Sequence, residues 1–164
     1  MRADSINQTF DFAVSGATID NAIVPAYSTS IPSVRQQVET MFLTRYANKP
    51  VDTPWTGADT LFGIFIGIND LDNSYTKNQA TTNTALINEY GILLEKLYQS
   101  GARNVVLLNV PPVERTPSGK GLGASAETLL ATDIADYNSR VATLLSNFAK
   151  NHIDTTTFLF DTHK

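Results

Sequence analysis

The central stretch of this chain reads LFGIFIGINDLD from residue 61 to residue 72. Its apolar run is short and rich in Phe and Ile, which favours a strand buried on both faces of a parallel sheet. Gly67 allows the backbone to turn after the strand, and Asn69 and Asp70 place polar groups at its carboxyl end. Open α/β sheets bind their ligands at that end of the strands, so we expect a functional site here.

Asn69 and Asp70 have two interpretations. The Asn69 amide is a neutral N–H donor, which suits an oxyanion hole where a tetrahedral intermediate develops negative charge. Asp70 could support the turn by accepting backbone N–H bonds. Alternatively, the dipeptide is ordinary turn chemistry without a catalytic role, and taken alone it favours this second interpretation.

A second segment has a similar form. Residues 10–20 read FDFAVSGATID, a bulky strand-like run that ends in small residues, and Gly16 would let the backbone approach a ligand closely. If this strand and the one at residue 61 run parallel, their carboxyl ends meet at one edge of the sheet. We therefore expect the Gly16 N–H and the Asn69 amide to converge on one small polar site.

Three segments together resemble the SGNH/GDSL hydrolases. They are AVSGAT at residues 13–18, GIND at residues 67–70 and NVPP at residues 109–112, in the family's order along nearly the whole chain. The resemblance is closest to secreted fungal esterases, several of which deacetylate carbohydrates. It implies that Gly16 is the oxyanion-hole Gly, donating its backbone N–H, and that Asn69 is the oxyanion-hole Asn, with Gly67 and Asp70 in support.

Two of the family's blocks are absent from the sequence, namely the Gly-Asp-Ser block of the nucleophile and the Asp-x-x-His block of the acid and base. Ser5 follows Asp4, but no apolar strand precedes it, and it is too close to Gly16 for a helical crossover of about a dozen residues. Asp161 and His163 stand one residue short of the family's spacing, and His163 near a terminus would be poorly held. The nucleophile is therefore unknown.

The composition of the chain limits its number of domains, its partners and the metal sites that it could form. With 164 residues, 42% of them hydrophobic, the chain is predicted to form a single domain over residues 1–164. Its net charge of -4 and scattered cations argue against nucleic acid or a membrane as partner. Absent cysteine and only two histidines exclude thiolate and typical zinc sites, and no cofactor or metal is expected.

No apolar run approaches the length of a membrane span, and the opening residues do not form a signal peptide. The family resemblance nevertheless implies a secreted protein. The sequon at Asn7-Gln8-Thr9 would accept a glycan in that case.

Hydrophobic periodicity predicts strands and helices in alternation, which is typical of an α/β fold. The predicted strands are 9–14, 61–67, 104–110 and 156–160, and the predicted helices are 33–47, 80–100 and 125–150. The expected architecture is a flavodoxin-like three-layer sandwich with a parallel sheet and helices on both faces. The resemblance implies one more strand ahead of residue 1, near the middle of the sheet, so that the fold is incomplete at its N-terminus.

A sheet that lacks a central strand exposes unpaired edges, which favours a homo-oligomer. Among the remaining side chains, Met41 and Phe42 are predicted to be core residues. Trp55 could line a sugar-binding wall but is more often a core anchor. Lys120 lies in a glycine-rich segment without the P-loop pattern, so a flexible loop with a solvated Lys is expected. His152 lies at a predicted helix C-terminus, where as a cation it would interact favourably with the helix dipole.

Two functions follow. The first is an SGNH/GDSL-type ester hydrolase for small acyl or acetyl esters, including those of carbohydrates, with weak or no catalysis because the nucleophile and its base are not found. The alternative is a non-catalytic SGNH-like domain that binds a carbohydrate or a protein.

Overall fold

The computed structural model describes residues 8–77 and 79–164. Its strands are β1 (Leu61–Phe65), β2 (Asn104–Leu108) and β3 (Thr156–Phe160). Its helices are α1 (34–45), α2 (Ile68–Ser74), α3 (Gln79–Gln99), α4 (Pro117–Gly121) and α5 (Ala124–Asn151), with a 3-10 turn at Val113–Arg115. Helix α1 is α-helical at Val34–Gln36 and Leu43–Arg45 and π-helical at Gln37–Phe42. The α/β fold class is confirmed.

The described strands form one parallel sheet in the order β1-β2-β3. Leu61 of β1 lies opposite Asn104 of β2, which lies opposite Thr156 of β3. Helices α2 and α3 connect β1 to β2, and α5 connects β2 to β3. Parallel neighbours require such crossovers, so the predicted strand-helix-strand units are confirmed.

The predicted strand at 9–14 is wrong, since residues 8–14 have no regular secondary structure. A strand needs a neighbour for its backbone, and here a groove separates this segment from β1. Its aromatic side chains pack on α1 instead, with the Phe12 ring centroid 6.2 Å from Phe42 and 5.7 Å from Tyr46. The alternation of bulky residues over 9–14 therefore reflects packing against a helix rather than pairing in a sheet.

Helix α1 anchors this part of the core, and its N-terminus is closed by a capping box. Gln36 Oε1 accepts the Ser33 N–H at 2.9 Å, and Ser33 Oγ accepts the Gln36 N–H at 3.4 Å. Phe42 is 8% exposed and confirms its predicted core position, whereas Met41 is 37% exposed, so its core assignment is wrong. A π-helical turn shifts residues around the helix axis, which a regular helical period cannot anticipate.

Helices α3 and α5 pack against each other and against one face of the sheet. Gly91 of α3 allows this close approach, because a Cβ there would lie 3.2 Å from Leu144 Cδ1. The shared core of the two helices contains a stripe of buried side chains from each. These are Leu86, Tyr90, Leu93, Leu94 and Leu97 from α3, and Leu130, Ile134, Tyr137, Val141, Leu145 and Phe148 from α5.

The two faces of the sheet differ in what covers them. Phe62, Ile64, Val105 and Leu107 point to one face and belong to, or pack against, the hydrophobic core. The residues that alternate with them include Leu61, Phe65, Phe158 and Phe160, which are 60%, 51%, 56% and 61% exposed. We call these last four residues the open sheet face. The described residues do not build a helical layer over it.

The glycine-rich segment after β2 is ordered rather than a flexible loop, so that expectation is wrong. Thr116 begins α4, and its hydroxyl accepts the Gly119 N–H at 3.1 Å. Gly119 is required there because a Cβ would lie 2.4 Å from the Val113 carbonyl oxygen. Lys120 pairs with Glu127 of α5 instead of being merely solvated.

Candidate functional site

The chain turns sharply after β1. Gly67 has φ of 114°, a left-handed conformation, and a Cβ there would lie 2.7 Å from Tyr137 Cε1. The strand already ends at Phe65, and helix α2 begins at Ile68. Asn69 and Asp70 therefore lie in the first turn of a helix at the carboxyl edge of the sheet, not in an open turn as predicted.

The Asn69 amide reaches the segment that contains Gly16. Asn69 Nδ2 donates to the Ala17 carbonyl oxygen at 3.0 Å, across 52 positions of sequence. Both Gly16 and Asn69 line the same groove. The structure thus brings together the two residues expected to share one site.

Gly16 adopts a backbone conformation that favours glycine. Its φ is 84°, and a Cβ would lie 2.4 Å from Tyr27 Cε1 and 3.0 Å from Ile31 Cδ1. The adjacent turn is closed by the Ala17 N–H, which donates to the Val14 carbonyl at 3.1 Å. Among the described residues no acceptor is paired with the Gly16 N–H.

Asp70 acts differently from the predicted turn acceptor. Its side chain is fully buried, and Oδ1 accepts the Ile19 N–H at 2.9 Å from a segment 51 positions earlier. Loss of solvent raises the pKa of the Asp70 carboxyl to about 7. The sequence predicted a local backbone partner for this carboxylate, whereas the structure gives it a distant one.

Two tyrosines near Asp70 had no role in the sequence analysis beyond core packing. The hydroxyls of Tyr90 and Tyr137 are buried, and neither they nor Asp70 Oδ2 have a hydrogen-bond partner among the described residues. Burial and the Asp70 charge raise the pKa of Tyr90, while burial, Tyr90 and Asp70 raise the pKa of Tyr137. The sequence signal for these two residues was a tyrosine within an apolar helical stripe. A tyrosine hydroxyl that is buried in this way requires a hydrogen-bond partner.

The groove between residues 8–17 and β1 has a volume of about 1340 Å³. It runs from Trp55 and Asp59 to Gly16 and Asn69. Trp55 is 7% exposed, and its indole N–H donates to the Tyr46 carbonyl at 2.7 Å, so its predicted role as a core anchor is confirmed. Small-molecule pockets usually measure about 300 to 1,000 Å³, so this groove is larger than a small ester requires.

No nucleophile and base stand together in this groove among the described residues. Ser5 lies outside the described part of the chain. Ser15 lines the groove beside Gly16, but neither histidine does. His152 packs on Tyr98 with a centroid separation of 3.8 Å, and its Nε2 lies 2.8 Å from Glu95 Oε2, which are more specific contacts than a helix dipole alone.

The carboxyl ends of β2 and β3 are joined by side chains. Asn109 Nδ2 donates to Asp161 Oδ1 at 2.8 Å, and Asn109 Oδ1 accepts the Thr162 N–H at 2.7 Å. The Asn109 hydrogen bond lowers the pKa of Asp161, because it favours the ionised carboxylate. His163 is half-buried, and its backbone N–H donates to Asp161 Oδ1 at 3.1 Å. This end of the chain is held by hydrogen bonds but lies apart from the groove.

The described side chains do not form a cluster of three or more histidines or carboxylates that could hold a metal ion. None of the described helices combines the length and apolar character needed to cross a membrane. Two N–H groups beside the groove have no acceptor among the described residues, namely the Gly16 N–H and the second N–H of Asn69 Nδ2. Such donors can bind the oxygen of a polarised carbonyl.

Comparison with known proteins shows which sequences this chain is similar to. A sequence model of the GDSL-like Lipase/Acylhydrolase family matches residues 2–164. The chain is also 36% identical over 161 residues to an acetylesterase from Thermothelomyces thermophilus, covering 96% of this chain and 53% of that relative. It therefore spans about half the length of the curated relative that it matches.

Proposed function

This chain belongs to the GDSL-like lipase/acylhydrolase family, and we propose that it is an ester hydrolase domain in which Gly16 and Asn69 form the oxyanion hole. The observation that carries the proposal is the hydrogen bond from Asn69 Nδ2 to the Ala17 carbonyl at 3.0 Å. It leaves the second Asn69 N–H and the Gly16 N–H beside one groove.

The chemistry is acyl transfer. A hydroxyl oxygen attacks the ester carbonyl, the carbonyl oxygen becomes an oxyanion, and the two N–H donors stabilise it more strongly than they stabilise the neutral ester. The carbonyl then re-forms as the ester C–O bond breaks, and the alcohol leaves with the proton that came from the attacking hydroxyl. Neither donor changes its protonation state, so no proton has to move to or from these two groups as the charge develops. The attacking hydroxyl requires a general base that removes its proton, and the groove lining contains no histidine.

We therefore infer that catalysis by this chain alone is weak or absent, and that the working hydrolase uses polypeptide beyond it. The groove beside β1 supports this proposal, because none of the described strands pairs with that edge of the sheet. The match to only 53% of the acetylesterase also supports it. An oxyanion hole and substrate binding retain only a residual part of full catalysis.

The proposed substrate is an acetyl or other short acyl ester, and a carbohydrate is its proposed alcohol part. The relative's description as an acetylesterase supports the acyl group. Resemblance to fungal esterases supports a secreted protein. We further propose that exposed sheet edges pair with a second copy of the chain, since unpaired backbone groups favour strand addition.

A second candidate is a non-catalytic domain that binds a carbohydrate or a protein. The large groove favours it, because the groove exceeds the usual volume of a small-molecule site. A sugar ligand bound without hydrolysis would select this candidate. Labelling by a serine-reactive fluorophosphonate, seen as a stoichiometric gain in intact mass, would select the hydrolase.

The direct test measures hydrolysis of a short-chain aryl ester by the wild type, Asn69→Ala and Ser5→Ala, with the buffer rate subtracted. In an active hydrolase, loss of one oxyanion donor costs about 3 to 4 kcal/mol of transition-state stabilisation. Asn73→Ala is the matched control, because Asn73 Nδ2 donates to the Pro25 carbonyl at 3.3 Å from the same helix. Turnover that falls in Asn69→Ala but not in Asn73→Ala supports the oxyanion hole.

Two other results are informative. Collapse of a high rate in Ser5→Ala would make Ser5 the nucleophile, against its exclusion on sequence grounds. A rate equal to buffer in every variant would refute hydrolysis by this chain and leave the binding domain.

A further inference from the structure

Two consecutive side chains attach the Gly16 segment to α2. Asn69 donates to the Ala17 carbonyl at 3.0 Å, and Asp70 accepts the Ile19 N–H at 2.9 Å. One contact uses a backbone acceptor and the other a backbone donor, two residues apart. Together they oppose both sliding and rotation of the segment, because each bond has its own preferred direction.

The Asp70 contact is unusual because it uses a fully buried carboxylate. The titratable groups that face it are Tyr90 from α3 and Tyr137 from α5. The Gly16 segment contributes the Ile19 N–H, while its own Asp20 pairs with Arg35 at 3.0 Å. No cation among the described residues pairs with Asp70, so its ionisation is opposed by burial and supported mainly by the Ile19 hydrogen bond.

We propose that Asp70 is a positioning residue for the oxyanion site, and that its ionised carboxylate holds Ile19 so that Gly16 is placed correctly beside Asn69. The inference rests on the proposed function, since it concerns the same site. Asp70 need not touch the substrate to act in this way. Its effect passes through residues 16–19, which connect the hydrogen-bonded Ile19 to the oxyanion donor.

The protonation state of Asp70 changes the strength of this attachment. A carboxylate accepts a charge-assisted hydrogen bond, which is shorter and about twice as strong as a neutral one. Protonation therefore loosens the hold on Ile19 and the placement of Gly16. A displacement of about 1 Å is enough to cost two orders of magnitude in rate at an active site.

Amide NMR of the uniformly ¹⁵N-labelled full chain tests this without using activity. We expect the Ile19 and Gly16 amide resonances to titrate together between pH 5 and 9, with a shared midpoint at about 7. A Gly16 resonance that stays constant while Ile19 titrates would overturn the proposal. So would an Ile19 resonance without a titration in that range.

Asp70→Asn supplies the matched substitution, because the amide oxygen can still accept the Ile19 N–H but has no charge to lose. We expect the shared titration to disappear. Asp133→Asn is the control, since Asp133 is a buried carboxylate whose pKa is also raised by burial but which contacts Asn83 instead. A titration that persists in Asp70→Asn, or vanishes only in Asp133→Asn, contradicts the assignment.

These results separate the two proposals. If the wild type shows the shared titration but hydrolyses no ester, hydrolysis by this chain is refuted and the positioning role of Asp70 stands. If it hydrolyses esters, turnover should follow the same midpoint, and the rate at high pH should depend on Asp70. Turnover without any shared titration would support the hydrolase and overturn the role of Asp70.

Discussion

At the scale of single residues, two glycines of the site favour folding, whereas its buried carboxylate, Asp70, opposes it. Gly67 and Gly16 adopt left-handed conformations that allow two backbone segments to meet. Asp70 lies between them with no exposed surface, and burial of its charge carries a desolvation cost. The residue that fixes the site is therefore also a source of instability near neutral pH.

This cost gives a pH dependence. The pKa of Asp70 is about 7 in the folded chain, against about 3.9 in an unfolded one. Between these values the folded chain binds more protons, so the free energy of unfolding should fall as the pH rises from about 4 to about 7. Urea unfolding across this range should show a steeper fall for the wild type than for Asp70→Asn. Parallel curves for the two proteins would contradict this expectation.

Gly67 allows a test of backbone strain. Gly67→Ala forces an L-residue into a φ of 114° and places its Cβ 2.7 Å from Tyr137 Cε1. Overpacking alone typically costs about 1 to 3 kcal/mol, and the left-handed backbone adds about 1 to 2 kcal/mol. Urea unfolding should therefore show a loss of about 2 to 5 kcal/mol. Gly121→Ala is the control, because no atom lies within 4 Å of its added Cβ.

At the scale of elements, the success of the secondary-structure prediction depended on which neighbours each segment pairs or packs with. β1, β2 and β3 have parallel neighbours, and the helices between them follow from apolar stripes such as that of α5. The run at residues 9–14 has a strand's composition but packs on α1, because none of the strands that the structure describes lies next to it. The local sequence pattern of a strand-like segment cannot show whether a strand lies next to it in the fold. The Ile19 and Asp70 contact was likewise beyond local pattern, since 51 positions separate the two residues.

Phe42 links α1 to this irregular segment. Its ring contacts Phe12 at 6.2 Å, Trp55 at 5.7 Å and Phe62 at 5.4 Å between centroids. Phe42→Ala should cost about 3 to 5 kcal/mol of unfolding free energy, because it leaves a cavity shared by these aromatic rings. Met41→Ala, at the exposed neighbouring position, should cost much less. Equal losses in thermal or urea unfolding would refute this account of the α1 core.

At the scale of the whole molecule, the two faces of the sheet are unequal. Helices α3 and α5 bury one face, while the open sheet face exposes more than half of each of its four side chains. Exposed apolar patches of this kind mark interaction surfaces or promote association. Sequence alone predicted the unpaired edge but not this face, because an apolar strand reads the same whether one or both of its sides are covered.

The association that follows can be measured by sedimentation velocity over a range of protein concentrations. We expect the wild type to form dimers or larger species, and the double variant Phe158→Ser with Phe160→Ser to shift toward monomer. The control pair is Val51→Ser with Ile153→Ser, which are 96% and 93% exposed but lie off the sheet. Monomeric wild-type protein at every concentration would contradict association.

The open sheet face also has a consequence for the life of the protein in a cell. Molecular chaperones retain chains whose aromatic and aliphatic side chains stay accessible, and quality-control proteases remove those that are not covered in time. Phe158 and Phe160 lie on β3, which follows the other described strands in sequence, so this face is complete only after residue 160 has been synthesised. The abundance of the folded protein should therefore depend on how quickly the face is covered as well as on the stability of the core behind it.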